Sequence, residues 1–221
     1  MARTEWYRRT TWTPADQEDF AAHLKRSRSP VQKAQYLRIQ AHHLQEVGGS
    51  EMVRASLSLL DDLIENYPDN FSLGTAYMQK GQCLEELGRA DDALEAYRAS
   101  LAIQRANPHV RDSAYIAFGE LVLKMDRKDL YPEALAFLEE FGGHEYFPAE
   151  SYRYNGARAL MFEEMGRESE ARLAARVALG ASQKTESPFR YHRKLGLVRE
   201  IDEAVHRRLV AIAQSQNSDR A

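Results

Sequence analysis

The sequence predicts an all-α fold built from repeated pairs of helices, and three features support that prediction. Prolines recur at steps of 38, 40, 40 and 40 residues, at Pro30, Pro68, Pro108, Pro148 and Pro188. A glycine or a polar turn lies near the middle of each interval, and apolar residues between these breaks recur at the spacing of an amphipathic helix. Because proline cannot continue a helix interior and glycine commonly ends one, each interval of about forty residues predicts two helices.

The individual elements follow from local signals. Thr13 and Pro14 predict the start of the first helix, since threonine caps helix N termini and proline suits the first helical position. The predicted helices span 14–27, 31–47, 51–66, 70–87, 90–106, 110–126, 132–141, 149–165, 168–184 and 189–215. The last of these rests on an apolar stripe of Leu195, Val198, Ile201, Val205, Leu209 and Ile212.

The predicted organisation is one continuous domain. Residues 1–34 form an N-terminal capping segment and helix, residues 35–185 form four repeats, and residues 186–221 form a C-terminal capping helix and tail. Capping helices are expected because the end of a repeat array otherwise exposes an apolar face.

Small residues alternate with large ones inside the repeats. The second repeat shows this best, with Tyr77, Gly81, Leu84, Gly88, Ala93, Tyr97, Ser100 and Pro108. The fourth has Ala159, Phe162, Gly166, Ala171, Ala175 and Ala178. Small side chains at such positions allow two helices to approach within about 8–10 Å, while the large ones fill the space around them.

This pattern resembles the tetratricopeptide repeat (TPR) over roughly residues 35–185. The resemblance implies a right-handed α-α superhelix of about four helix pairs, with the first helix of each pair lining a concave groove. The repeat of about forty residues exceeds the 34 usual for the family, so a related helical repeat with longer helices is the alternative.

Composition narrows the functional classes. The chain has 221 residues, 43% hydrophobic and 29% charged, with a net charge of −3 and one cysteine. One cysteine cannot form an internal disulfide, and no stretch approaches the roughly 18 apolar residues of a membrane span. We therefore expect a soluble, cytoplasmic protein without a membrane partner. The slightly acidic balance also disfavours a dedicated nucleic-acid binder.

Catalytic and metal-binding motifs are missing from the sequence. His42 and His43 are adjacent, so on a helix they point about 100° apart and do not hold one ion together. Cys83 falls in an apolar-periodic helix, where a buried, unreactive thiol is expected. No HExxH, GxSxG or GxGxxG string occurs. We expect neither an enzyme nor a bound metal or cofactor.

The TPR resemblance implies a partner-binding groove lined by the first helices. Its candidate residues are Arg38, His42, Gln45, Glu46, Met78, Gln82, Glu85, Glu86, Glu120, Lys124, Arg153, Glu163 and Glu164, with Gln35, Thr75, Ser113, Ile116 and Leu160 beside them. The paired glutamates are typical of a solvated face; in a groove they favour a basic or mixed-charge segment. The family's clamp for a C-terminal carboxylate is not expected, because Ile39, Gln79, Ala117 and Ala157 stand where its asparagines would be.

We therefore expect a non-enzymatic protein-binding scaffold that recognises a protein or peptide through its concave groove or rim. An adaptor, an assembly chaperone and a neutralising partner such as an immunity protein all fit this description. The alternative is a nucleic-acid-associated regulator that uses the arginine-rich ends, Arg8–Arg28 and Arg190–Arg208. The aromatic cluster Trp6, Tyr7 and Trp12 favours an N-terminal cap over a binding hot spot. The oligomeric state is left open.

Overall fold

The computed structural model describes residues 5–215, and this part of the chain is all-α, with no strand. The helices are α1 (Pro14–Arg26), α2 (Pro30–Val47), α3 (Ser50–Asn66), α4 (Leu73–Glu86), α5 (Ala90–Ala106), α6 (Ala114–Lys124), α7 (Tyr131–Phe141), α8 (Pro148–Glu164), α9 (Glu168–Ser182) and α10 (Glu203–Gln214). A 3-10 turn, Lys128–Leu130, precedes α7. Adjacent helices pack in pairs, which confirms the predicted all-α repeat fold.

Helix starts follow the predicted signals. Thr13 caps α1 in a capping box, accepting a hydrogen bond from the Asp16 amide while the Asp16 carboxylate accepts from the Thr13 amide. Pro30 and Pro148 occupy the first position of α2 and α8, where no amide donor is needed. Among the residues described, none of the helices carries an apolar stretch long enough to cross a membrane.

The chain divides into two compact units, the first ending at Ala114 and the second beginning at Tyr115. The first unit contains α1 to α5, and the second contains α6, apart from its first residue, through α10.

In the first unit, α2 packs on α3, α4 packs on α5, and α3 joins the two pairs. The contact between α4 and α5 centres on Gly81, where the Tyr97 ring occupies the space that a side chain would fill. Tyr97, Ala93 and Leu101 are each fully buried there. The small and large residues that alternate in the sequence are therefore the residues that pack against each other in this helix pair.

The N-terminal segment of the first unit lies against α1 and α2. The Trp6 ring contacts Phe20, His23 and Tyr36 at centroid distances of 4.7–5.2 Å. The Gln40 amide pairs with the backbone of Arg9, accepting from its N–H at 2.9 Å and donating to its carbonyl at 2.8 Å. This reciprocal pair satisfies a fully buried glutamine.

In the second unit, α8 packs on α9 through alanines, including the fully buried Ala159, Ala175 and Ala178. Gly119 of α6 allows the close approach of Leu138, whose Cδ1 would lie 3.3 Å from an added Cβ. The final helix, α10, covers α9 and α8 with Leu209 and Ile212, both buried.

The prediction of a helix over residues 189–215 is wrong for the first half of that range. Residues 183–202 form turns and irregular backbone, and only Glu203–Gln214 is helical. Gly196 takes a left-handed φ of 69°, and its carbonyl accepts a hydrogen bond from the Ala149 amide at 2.8 Å. Phe147 lies where a Gly196 side chain would be, so this backbone conformation and contact require glycine. Leu195 and Ile201 of the proposed stripe are exposed.

Gly81→Ala tests the packing of α4 on α5. The added Cβ would lie 2.4 Å from Tyr97 Cε1, so the fully buried ring must shift. We expect a loss of about 1–3 kcal/mol in the free energy of unfolding, measured by urea denaturation followed by circular dichroism.

Gly156→Ala is the matched control, because its Cβ would meet Leu209 Cδ1 at 3.6 Å, an ordinary contact. Alanine at position 156 should stabilise α8 by up to about 1 kcal/mol. Equal stability of the wild type and the Gly81 variant would contradict the proposed packing.

Candidate functional site

The thirteen candidate groove residues all lie on described helices and divide between the two units. The first unit holds Arg38, His42, Gln45 and Glu46 on α2, and Met78, Gln82, Glu85 and Glu86 on α4. The second holds Glu120 and Lys124 on α6, and Arg153, Glu163 and Glu164 on α8. Each unit presents its own candidate surface.

In the first unit, the C-terminal turns of α2 and α4 lie side by side. Gln45 Nε2 donates to Glu86 Oε1 at 2.7 Å, which joins the two first helices directly. Glu46 lies 3.5 Å from His42 Nε2 and 3.3 Å from His43 Nδ1, and its side chain is exposed. These five residues form a polar surface in which His42, Glu46 and Glu86 are exposed.

Other predicted residues of α4 contribute to packing as well. Tyr97 Oη donates to Glu85 Oε2 at 3.3 Å, so this carboxylate is tied to α5. Ser113 Oγ lies 3.8 Å from Met78 Sδ. Met78 and Gln82 are half-buried.

Two buried donors on α2 and α4 have no hydrogen-bond partner among the residues that the structure describes. They are Nε of Arg38 on α2 and Nε2 of Gln79 on α4. Gln79 is 4% exposed. Each donor lies seven residues, about two helical turns, before a member of the Gln45–Glu86 hydrogen bond. Burial lowers the pKa of Arg38 because desolvation disfavours its charged form.

The second unit contains a cavity of about 580 Å³ formed by α6, α8, α10 and the turn before α10. Its lining residues are Glu120, Leu123, Lys124, Asp126, Tyr131, Tyr152, Arg153, Gly156, Ala157, Leu160, Glu164, Glu200, Asp202, Val205 and Arg208. Four of the five candidates in this unit are among them; Glu163 is not.

The apolar part of the lining comes from the packed helices. Ala157 and Leu160 belong to α8 and are buried, whereas Leu123 of α6 and Val205 of α10 are partly buried. Gly156 adds no side chain to the cavity. The cavity therefore combines an apolar floor with a charged rim, an arrangement suited to an apolar side chain flanked by polar groups.

Ion pairs hold much of this rim in place. Arg153 Nε donates to Glu120 Oε1 at 2.8 Å, linking α8 to α6. Arg208 of α10 pairs with both Glu163 and Glu164 of α8, the first at 2.6 Å. Lys128 Nζ also donates to Glu164 at 2.6 Å, and this hydrogen bond with that from Arg208 lowers the pKa of Glu164. Removal of Glu164 would leave two cations without their common partner.

The rim has an excess of acids. Five of its lining side chains are carboxylates and three are cations. Asp202 caps α10 by accepting from the amides of Ala204 and Val205. Within the part of the chain that the structure describes, Glu200 has no ion-pair or hydrogen-bond partner, and it is exposed. The side of the cavity before α10 therefore carries unneutralised negative charge.

Sequence reasoning missed the contribution of this side. The predicted helix over 189–215 includes Glu200, Asp202 and Val205, and it does not bring them to α6 and α8. The expected groove exposure of Ile116 is wrong, since this residue is fully buried. Asp202 was the available signal: an aspartate followed by apolar periodicity indicates a helix start.

Elsewhere, Cys83 matches the prediction of a buried thiol. Its side chain is fully buried beside Ser56, with Oγ and Sγ 3.3 Å apart. Burial raises the pKa of this thiol to about 11, so it stays protonated at neutral pH. Among residues 5–215, no three His, Cys, Asp or Glu side chains are grouped as metal ligands would be.

Comparison with solved structures shows a structural likeness. The chain is similar to BtubC (BKLC) from P. vanneervenii, with a TM-score of 0.56 and 15% sequence identity over 85% of this chain and 80% of that one. At this identity the likeness supports the helical fold alone. No family model and no curated protein matches the sequence.

Arg38→Met tests whether the buried Nε donor of Arg38 on α2 is retained at a cost to stability. Methionine keeps much of the aliphatic volume and removes the buried donor, so we expect unfolding to require about 1 kcal/mol more. Arg54→Met is the control, because Arg54 is exposed on α3 and its replacement should leave the urea midpoint unchanged. Destabilisation by Arg38→Met would show that the guanidinium is satisfied in the folded protein.

Proposed function

We propose that this chain is a non-enzymatic protein-binding scaffold whose second unit binds a basic, partly apolar segment of a partner. The observation that carries the proposal is the cavity between α6, α8 and α10, which joins an apolar floor to a rim with more acids than bases. A cavity of about 580 Å³ accommodates a few side chains, the scale of a short peptide motif.

Rigidity of the rim supports this function. Glu120, Arg153 and Arg208 already have partners in the unbound protein, so their positions are set before a ligand arrives. Preorganised side chains lower the entropy lost on binding. The exposed carboxylate of Glu200 supplies the attraction for a cation, and such an exposed charge acts mainly through the rate and salt dependence of association.

The polar surface of α2 and α4 is a second place where a partner could contact the scaffold. Gln45, Glu46 and Glu86 offer hydrogen-bonding groups to solvent there. This surface lies on α2 and α4, the first helices of two successive pairs, which the resemblance to TPR proteins implies would line a groove. An adaptor, an assembly chaperone and a neutralising partner would each use a scaffold of this kind.

The nucleic-acid alternative has fewer available charges than the sequence suggests. Arg9 pairs with Asp16 and Asp19, Arg8 pairs with Glu5 at 2.6 Å, and Arg208 is shared by two glutamates. Paired arginines contribute less to phosphate binding, because each must first leave its carboxylate. The alternative stays a prediction that a gel-shift titration at low salt can eliminate.

Glu200→Lys tests the proposed site without disturbing the ion pairs of the rim. The probes are two short synthetic amphipathic peptides of the same leucine pattern, one carrying arginines and one carrying glutamates, followed by fluorescence anisotropy. We expect the arginine peptide to bind, to dissociate as salt rises, and to bind the variant about tenfold more weakly.

Glu65→Lys is the matched control, since Glu65 is an exposed glutamate of α3 in the first unit. It should leave the affinity for the arginine peptide unchanged. Binding of both peptides with equal affinity, or an equal loss of affinity in both variants, would contradict a specific acidic site at the cavity.

A further inference from the structure

The chain itself carries a segment with the chemistry that its cavity is proposed to bind. We call residues 187–199 the basic loop; they follow α9 and contain no helix. Its cations include Arg190, Arg193 and Lys194, all exposed. Its apolar side chains also face solvent, with Tyr191 84% and Leu195 50% exposed. Large apolar groups exposed beside cations are typical of a binding surface.

The basic loop is held in a defined conformation. The Ser187 amide donates to the Arg193 carbonyl at 2.7 Å, which closes the loop on itself. The Gly196 carbonyl accepts from the Ala149 amide, and Phe189 stacks on Phe147 at a centroid distance of 5.4 Å. An anchored loop loses little conformational entropy on binding, so its exposed tip is suited to docking.

Charge and surface type match between the basic loop and the cavity. The loop offers arginine and lysine next to exposed apolar side chains, whereas the cavity offers an apolar floor and an acidic rim. We infer that the basic loop of one copy of this chain docks at the cavity of a second copy. This inference rests on the proposed function in one respect, the use of the cavity as a peptide site.

The position of the loop in the chain favours a closed dimer. The basic loop ends at Arg199, and the next residue, Glu200, lines the cavity. Because the two surfaces are adjacent, a two-fold arrangement allows both copies to make the same contact at once. Each dimer then contains two loop-to-cavity contacts, and no unoccupied pair of surfaces is left to extend a filament.

Single-stranded nucleic acid is the competing occupant of the basic loop, since cations beside an exposed aromatic ring can hold phosphates and stack bases. A second copy is favoured by the acids that flank the loop. Glu186 pairs with Arg193 at 3.2 Å, and Glu200 and Asp202 follow directly. These carboxylates would repel a phosphate backbone, and the chain as a whole has a net charge of −3.

Sedimentation velocity of the full chain over a range of concentrations tests the inference. The wild type should pass from its monomer mass of 25.3 kDa to twice that mass, with weaker association at high salt. Arg190→Glu/Lys194→Glu in the loop and Glu200→Lys in the cavity should each weaken dimerisation at least about tenfold. Lys25→Glu/Arg28→Glu, a reversal of two exposed cations in the first unit, is the control and should dimerise as the wild type does.

Mixing the two variants separates this contact from other causes of association. The acidic loop of one variant faces the reversed cavity charge of the other, and each partner's unaltered surface faces its natural counterpart. An equimolar mixture should therefore dimerise more strongly than either variant alone. Failure of the mixture to recover association would overturn the inference.

Two further outcomes are decisive. A wild type that stays monomeric at every concentration while still binding the arginine peptide overturns the dimer and leaves the proposed function standing. Tight binding of fluorescent oligothymidylate, abolished by the loop variant with no change in sedimentation of any variant, assigns the loop to nucleic acid instead.

Discussion

The structure depends on one packing constraint: in a helix pair, one helix must lack a side chain where a large side chain of its partner lies. Gly81 against the Tyr97 ring is the strictest example, because any Cβ at that position would overlap the ring. Gly119 against Leu138, and the buried alanines between α8 and α9, meet the same requirement less tightly. Close helix packing then fixes the positions of α6 and α8, and with them the side chains that line the cavity.

Most helices could be predicted because their start and stop signals are local. Thr13, Pro30 and Pro148 mark helix starts, and the structure places α1, α2 and α8 within one residue of the predicted starts. The prediction of the last helix is wrong in its first half because apolar residues at helical spacing also occur in an anchored loop with a few buried positions. Gly196 holds a left-handed backbone against Phe147, a long-range contact that no local pattern reveals.

Because the last helix was predicted too long, part of the candidate site could not be predicted either. Glu120, Lys124, Arg153 and Glu164 could be placed on one surface from the repeat pattern, and they do line a common cavity. Glu200 and Val205 reach that cavity only because the chain turns before α10, which required knowledge of the tertiary fold. The pairing of Arg208 with Glu163 and Glu164 is likewise a contact over more than forty residues of sequence. Both glutamates therefore hold α10 against α8, and Glu164 also lines the cavity.

The cavity is thus a product of helix packing and the place where we propose that a partner binds. The most direct test of its role is methyl NMR of the full chain during titration with the arginine peptide. The cavity account predicts chemical-shift changes at the methyl groups of Leu123, Leu160 and Val205, with those of Leu57 and Leu63 in α3 unchanged. Shifts confined to the first unit, or spread evenly over both, would contradict it.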